Sequence, residues 1–189
     1  SNKPLYAQNA DKSELRFVEG KSARSNWMVL HLHLTHEDPE IRALHQNKDF
    51  RIALSHAINR QEIIDVVNLG LGEPSQPAPP PGSFFYNEKL CKQYTEYNPR
   101  LAAEMLDKIL PNKDSQGFRL LPSGKPYQIV GLVISTSPDH AQALEMIKQY
   151  WAAVGINMVP QVVERALHTQ RVQAGQFDLA VWVGPGGVE

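Results

Sequence analysis

Three histidines, His31, His33 and His36, are the residues of this sequence whose types come closest to a metal site. His31 and His33 alternate along a predicted strand, so their imidazoles lie on one face, and imidazole nitrogen is a common ligand of transition metals. Glu37 and Asp38 are close in sequence, but no further ligand can be assigned by its spacing. We therefore interpret the histidines as polar residues on a strand surface and predict no metal site.

A second pattern imitates the first half of a calcium-binding EF-hand loop. Asn112, Asp114, Gln116 and Gly117 have the residue types and the spacing of the first ligands and of the turn glycine. The twelfth position, where calcium needs a bidentate glutamate, is Ser123. The segment is thus predicted to be a polar turn with poor calcium affinity.

Nucleophilic and acid–base catalysis find no support in the residue pattern. Ser55 and His56 are adjacent on a predicted helix and therefore point in different directions. Cys91, the single cysteine, has neither a helix start nor a basic cluster beside it that would activate the thiol. Asp178 lies in a predicted strand without a carboxylate partner. With phosphate-cradling glycine motifs also absent, we predict no catalytic residues and no cofactor.

Two predicted strand ends suit a ligand better. One strand ends at Trp182 and is followed by a Gly-Pro-Gly-Gly turn, which can present backbone donors and an open face; a plain exit turn is the alternative. A second strand ends at Thr136. In open α/β sheets, ligands bind outside the carboxyl ends of the strands. The predicted ligand-binding residues at these two ends are Thr136, Ser137, His140, Trp182, Gly184 and Gly186.

Composition is that of a soluble globular protein, with 42% hydrophobic and 21% charged residues among 189. The formal net charge of −1 gives no indication of binding to nucleic acid or to an anionic membrane. No apolar run is long enough to cross a bilayer, and the polar first ten residues do not resemble a signal peptide. A start at Ser1 suggests an expression remnant, so we expect any natural signal or lipid anchor to lie outside this sequence.

The clearest structural pattern is a pair of amphipathic helices within residues 47–74. Asn59 separates them as an N-cap, with Glu62 in the position of a capping box. A further helix starts with Asn98 as cap and Pro99 at its first position. The apolar stripes of the pair are Phe50, Ala53, Leu54, Ala57 and Ile58 in the first helix and Ile63, Ile64, Val67 and Leu69 in the second.

The second half of the chain alternates strand, helix, strand, helix and strand. This order predicts an α/β fold whose sheet has parallel neighbours. Residues 1–26 are predicted to be a lead-in with a possible edge strand at 15–18, and residues 27–189 a single α/β lobe. The predicted strands are 27–34, 118–121, 127–136, 156–163 and 177–183, and the predicted helices between the last three are 140–154 and 166–174.

The run FRIALSHAINRQEII, residues 50–64, resembles the signature of the family 5 extracellular solute-binding proteins, the dipeptide- and oligopeptide-binding components of ABC importers. Their usual Ala-Ile-Asp-Arg reads Ala-Ile-Asn-Arg here, with Asn59 in place of the aspartate. Further matches in the same order are Tyr97-Asn98-Pro99, Gly124-Lys125-Pro126, Trp151 with Gly155-Ile156, and Gly175-Gln176-Phe177-Asp178 before Trp182. The matches cover residues 27–187.

The resemblance implies one lobe of a bilobal, type II periplasmic-binding-protein fold, with a mixed sheet, flanking helices and ligand in the cleft between lobes. It places Thr136, Ser137 and His140 on the cleft. It places Arg165 where such binders often have an aromatic, and Gly184 near a Trp-x-x-Asp segment that in them meets the peptide amino group. This chain instead reads Gly-Pro-Gly-Gly at that segment.

The function implied is non-catalytic binding of a solute, peptide-like in the first instance, and its delivery to ABC permease subunits. We expect a periplasmic or extracellular, membrane-associated monomer without nucleic-acid partners. The alternative is an α/β enzyme domain whose active-site cleft is completed by chain outside this sequence. An enzyme would have a strongly perturbed acid–base pair at the open strand ends.

Overall fold

The computed structural model describes residues 24–184, which contain four strands and seven helices. The predicted edge strand at 15–18 and the predicted ligand residue Gly186 lie outside this range. In chain order the elements are β1 (Val29–Leu32), α1 (Pro39–Gln46), α2 (Lys48–His56), α3 (Arg60–Val67), α4 (Glu88–Lys92), α5 (Pro99–Ile109), β2 (Gln128–Ile134), α6 (Pro138–Ala153), β3 (Asn157–Val163), α7 (Arg165–Gln173) and β4 (Leu179–Trp182).

The four strands form one mixed sheet in the order β1-β4-β2-β3. Strand β2 pairs in parallel with both β3 and β4, and β1 pairs antiparallel with β4. Parallel strands need a crossover, and α6 and α7 supply the two that connect β2 to β3 and β3 to β4. The predicted α/β class, with parallel neighbours in the second half, is confirmed.

Polar residues cap the helices, Asn59 and Asn98 at the predicted places and Asn47 at a place that was not predicted. The side-chain oxygen of Asn47 accepts hydrogen bonds from the first turn of α2, and the Asn98 side chain does the same for Leu101 in α5. Asn59 accepts from the backbone N–H of Glu62, and its amide donates to the Glu62 carboxylate. The Glu62 carboxylate thus accepts its hydrogen bond from the side chain of the cap residue Asn59. In a full capping box it would accept from the backbone N–H of the cap residue.

The helix pair α2 and α3 belongs to the core. Phe50 and Ala53 are fully buried, and the indole N–H of Trp151 in α6 donates to the carbonyl of Leu54 at 3.1 Å. Ser55, which has the residue type of a nucleophile, is held by three partners: it donates to the carbonyl of Tyr94 and accepts from Arg60 and Gln76. These bonds tie α2 to the Pro-rich segment after α3, and we assign Ser55 a structural role.

One local prediction was wrong and one element was missed. Residues 118–121 form only isolated bridges, Lys113 with Arg119 and Leu120 with Pro126, because turns at Gly117 and Gly124 reverse the chain before a ladder can grow. The short helix α4 was not predicted, although Asn87 caps it in the usual way. Its five residues are too few to produce a recognisable period.

Arg119 is a buried side chain that forms hydrogen bonds with the carboxyl-terminal ends of two helices. Its side chain is fully buried, and its guanidinium donates to the carbonyls of Val154 at 2.9 Å and Leu110 at 2.7 Å. The same group pairs with the half-exposed carboxylate of Asp107 at 2.8 Å. Because Leu110 follows α5 and Val154 follows α6, one side chain satisfies carbonyls at both helix ends.

We predict that Arg119→Leu lowers the free energy of unfolding by about 3 kcal/mol, since it leaves two buried carbonyls without donors. Urea denaturation measures the loss. The matched control is Arg100→Leu, whose exposed pairing with Glu104 at 3.8 Å should be worth less than about 0.5 kcal/mol. Equal losses in the two variants would contradict the structural role of Arg119.

Candidate functional site

The topology brings the predicted ligand residues to one edge of the sheet. Because β2, β3 and β4 are parallel, their carboxyl ends meet there, and antiparallel β1 starts beside the end of β4, with Val29 opposite Trp182. We call this surface the carboxyl edge; it consists of residues 25–27, 135–140, 164–168 and 182–184.

A cation and two aromatic rings form the centre of the carboxyl edge. The guanidinium carbon of Arg165 lies 5.4 Å from the centroid of the Trp182 ring, and the His168 imidazole stacks on the same indole at 5.5 Å and 24°. Trp182 keeps 37% of its surface exposed and Arg165 is exposed. The structure therefore brings Arg165 and Trp182, two of the predicted residues, into direct contact.

His168 is the buried member of this cluster. Burial lowers its pKa, the positive charge of Arg165 lowers it further, and a backbone hydrogen bond at Val181 acts in the opposite direction. The neutral imidazole is therefore favoured at neutral pH. Its Nε2 atom has no hydrogen-bond partner. His168 thus supports the Trp182 ring from within the protein.

His140, also a predicted ligand residue, is buried and engaged. Its Nε2 atom lies 3.1 Å from the carbonyl oxygen of Trp27, and the two rings meet edge to face at 4.7 Å. Burial lowers the pKa of His140, against the opposing effects of the Trp27 carbonyl and of Asp139. This geometry makes His140 a residue that positions Trp27. Direct ligand contact by His140 stays a prediction.

The ends of β2 and β3 are tied together beside these rings. Ser135 donates from its hydroxyl to the Glu164 carboxylate at 3.0 Å. Thr136 is exposed, and Ser137 starts α6 without using its side chain as a cap. The predicted residues Thr136 and Ser137 therefore lie on the accessible part of the carboxyl edge.

Gly184 is buried where the chain passes residues 25–26. Its N–H donates to the carbonyl of Asn26 at 2.9 Å, and an added Cβ would overlap the hydroxyl of Ser25 and the backbone nitrogen of Asn26. This close approach accounts for glycine at the position. Ligand contact by Gly184 and Gly186 stays a prediction.

Sequence reasoning missed Trp27 and His168. Trp27 reaches the carboxyl edge only because β1 runs antiparallel to β4, and strand order cannot be read from the residues of β1. For His168 a signal existed: it follows Arg165 by three positions on α7, so the two side chains lie on neighbouring parts of one helix face.

A concave feature lies elsewhere on the protein. A cavity of about 890 Å³ opens between β1, α3 and the Pro-rich segment 73–81, and it reaches the carboxyl edge only at residues 25–27. Its guanidinium groups donate to backbone carbonyls, Arg51 to His45 and Arg60 to Ser55. With its charged lining already engaged, the cavity offers mainly apolar surface.

The predicted histidine cluster lies at the opposite edge of the sheet. The rings of His33 and His36 are 5.6 Å apart, and His36 pairs with the Asp178 carboxylate at 3.1 Å. Beneath them, buried His45 links the carbonyl of His33 to the hydroxyl of Tyr127. Within residues 24–184 no group of three or more His, Cys, Asp or Glu side chains is arranged to hold a metal ion.

The sequence matches a known protein family along almost its whole length. The family model of the bacterial extracellular solute-binding proteins, family 5 middle region, matches residues 1–188. Heme-binding protein A of Haemophilus influenzae is 26% identical over 149 residues, which are 77% of this chain and 25% of that protein. Di/tripeptide-binding protein 1 of Pseudomonas aeruginosa is 28% identical over 142 residues, 74% of this chain and 24% of that protein.

Among solved structures, an oligopeptide-binding protein OppA superposes with a TM-score of 0.88 at 32% identity, over 100% of this chain and 30% of that one. The chain belongs to the family 5 bacterial extracellular solute-binding proteins. It spans about a quarter of the length of the curated relatives described above.

The buried histidine at the opposite edge predicts a pH dependence. Burial holds the pKa of His45 below its ordinary value of 6.5, so the folded state disfavours the imidazolium more than the unfolded chain does. The associated stability is present above pH 6.5 and is lost as pH falls below that value. We expect His45→Gln to show a smaller loss of unfolding free energy than wild type between pH 7 and pH 5.

Tyr127→Phe serves as the control, because it removes the hydroxyl beside Nε2 but leaves the imidazole buried, and it should keep the wild-type dependence on pH. Urea denaturation across that pH range measures both variants. Identical losses in wild type and His45→Gln would refute the role assigned to His45.

Proposed function

We propose that this chain forms one lobe of a two-lobed solute-binding protein that delivers a peptide-like solute to the permease of an ABC importer. The observation that carries the proposal is the carboxyl edge, where the ends of three parallel strands present Trp182 and Arg165 to the outside. Family membership supports it. A second lobe would close over this edge and complete the cleft.

The solute class rests on relatives and on the chemistry of the edge. The relatives are described as binding heme, di- and tripeptides, or oligopeptides. An exposed indole and a guanidinium suit a ligand with both apolar and polar groups. Hydroxyls at Thr136 and Ser137 and water would complete the contacts without requiring one particular side chain in the ligand.

The proposed role is non-catalytic. In the buried pair formed by His45 and Tyr127, burial lowers the pKa of His45 and raises the pKa of Tyr127 well above its ordinary value. It lies at the opposite edge, away from Trp182, and its two groups bond each other at 2.8 Å. That buried pair therefore does not supply the acid–base pair that an enzyme domain would need at the open strand ends.

The proposed location is outside the cytoplasm, periplasmic or on the cell surface, as the family description indicates. No helix of residues 24–184 combines the length and apolar character needed to cross a membrane. Closure of the two lobes around the solute would create the surface that the permease recognises. We propose that the protein acts as a monomer.

We predict that Trp182→Ala in the full-length protein weakens solute binding at least about tenfold, because the indole is one of two large exposed aromatic groups at the carboxyl edge, the other being Trp27. Thermal-shift screening of peptides, sugars and heme identifies a solute, and titration calorimetry then measures its affinity. The matched control is Phe84→Ala, which removes an aromatic side chain that is 89% exposed just after the Pro-rich segment 73–81.

Wild-type affinity in Phe84→Ala together with a loss in Trp182→Ala supports binding at the carboxyl edge. The proposal fails if Trp182→Ala binds as tightly as wild type, or if both variants lose affinity equally. Thermal unfolding of each variant without solute separates loss of binding from loss of folding.

A further inference from the structure

We infer that Arg165 selects solutes that carry a negatively charged group, a carboxylate foremost. The inference rests on the proposed function, since it requires the solute to lie on the carboxyl edge. It adds the chemical class of the ligand and names the residue that sets it.

The first observation is that the Arg165 guanidinium is exposed and held in place. It lies over the Trp182 ring at 5.4 Å, and within residues 24–184 no carboxylate lies within ion-pair distance of it. A guanidinium that contacts an aromatic ring through its flat face keeps its N–H groups available to donate hydrogen bonds to a ligand. The side chain is thus ordered for binding a planar anion.

The acidic groups nearest in sequence do not form an ion pair with Arg165. Glu164 precedes Arg165, but its carboxylate accepts the hydroxyl of Ser135 at 3.0 Å. Asp139 lies in the first turn of α6, where its charge acts on His140. The described part of the edge therefore keeps a cation directed outward next to an exposed ring, Trp182.

The second observation is the state of the two helix starts. Helix α6, of 16 residues, and helix α7, of 9 residues, both begin at the carboxyl edge. At neither start does the cap residue, Ser137 or Glu164, bond the first-turn N–H groups with its side chain. Unsatisfied N–H groups and the positive ends of the helix dipoles favour an anion at the same place as Arg165.

Arginine is well matched to this ligand class. Its planar guanidinium donates two parallel N–H···O hydrogen bonds to the two oxygens of a carboxylate. A neutral amide has one oxygen and cannot accept both bonds in this way. A site that is built to bond a polar group discriminates strongly against analogues that do not have it. We expect carboxylate ligands to bind about tenfold or more tightly than the corresponding amides.

The test uses the full-length protein and titration calorimetry with matched ligands: short alanine peptides with a free terminal carboxylate, and the same peptides as terminal amides. Wild type should prefer the acids by about tenfold or more. Arg165→Gln should lose this preference, because its affinity for the acids falls by more than its affinity for the amides. Arg165→Lys, which keeps the charge without the fork, should retain part of the preference.

Arg171→Gln is the matched control. Arg171 lies on the same helix and bonds the Gln161 side chain at 2.9 Å, so its replacement should leave the preference intact. If Arg165→Gln retains the full preference, or if wild type has none, the inference is overturned while the proposed function stands. If Arg165→Gln weakens acids and amides equally, Arg165 contacts the other lobe, and the inference is again wrong. Absence of binding by every peptide contradicts the peptide-like ligand and the inference together.

Discussion

Parallel pairing of β2 with both β3 and β4 is the constraint on which the rest of the structure depends. It forces the two crossovers through α6 and α7, and it collects three strand ends at one edge. Strand β1 then joins antiparallel to β4, so that its first residues arrive at the same edge. Residues that are more than a hundred positions apart, such as Trp27 and His140, become neighbours there only through this sheet order.

Local features of the fold could be predicted from the sequence because their causes are local. Asn47, Asn59 and Asn98 cap helices through oxygens that reach only two or three residues along the chain. The apolar stripe that includes Phe50 is buried as its period requires. Isolated bridges at 118–121 and the short helix α4 escaped prediction because segments of so few residues have no measurable period.

The candidate site was predictable in position and less so in detail. A strand-end rule located Trp182 and Thr136 correctly on one edge. The environment of His140 could not be derived, because its partner Trp27 comes from a strand whose neighbour cannot be identified from sequence. The contact of Arg165 with Trp182 likewise depends on how closely α7 packs beside the end of β4.

The protein thus separates its structural surfaces from the surface that we propose for recognition. The helix pair around Asn59, which has the most recognisable sequence, is packed in the core through Phe50 and the Trp151 hydrogen bond to Leu54. The opposite edge holds a histidine network that is bonded within itself, centred on His45. The carboxyl edge is the surface where an exposed ring and an unpaired guanidinium occur together in the described chain.

Hydrogen exchange of the full-length protein, measured with and without a bound solute, tests most directly whether the carboxyl edge holds the ligand. The account predicts that slowed exchange in this lobe is concentrated in residues 135–140, 164–168 and 182–184. Slowed exchange concentrated instead along β1, α3 and the Pro-rich segment 73–81, with no change at those three segments, would place the solute in the apolar cavity and contradict the account.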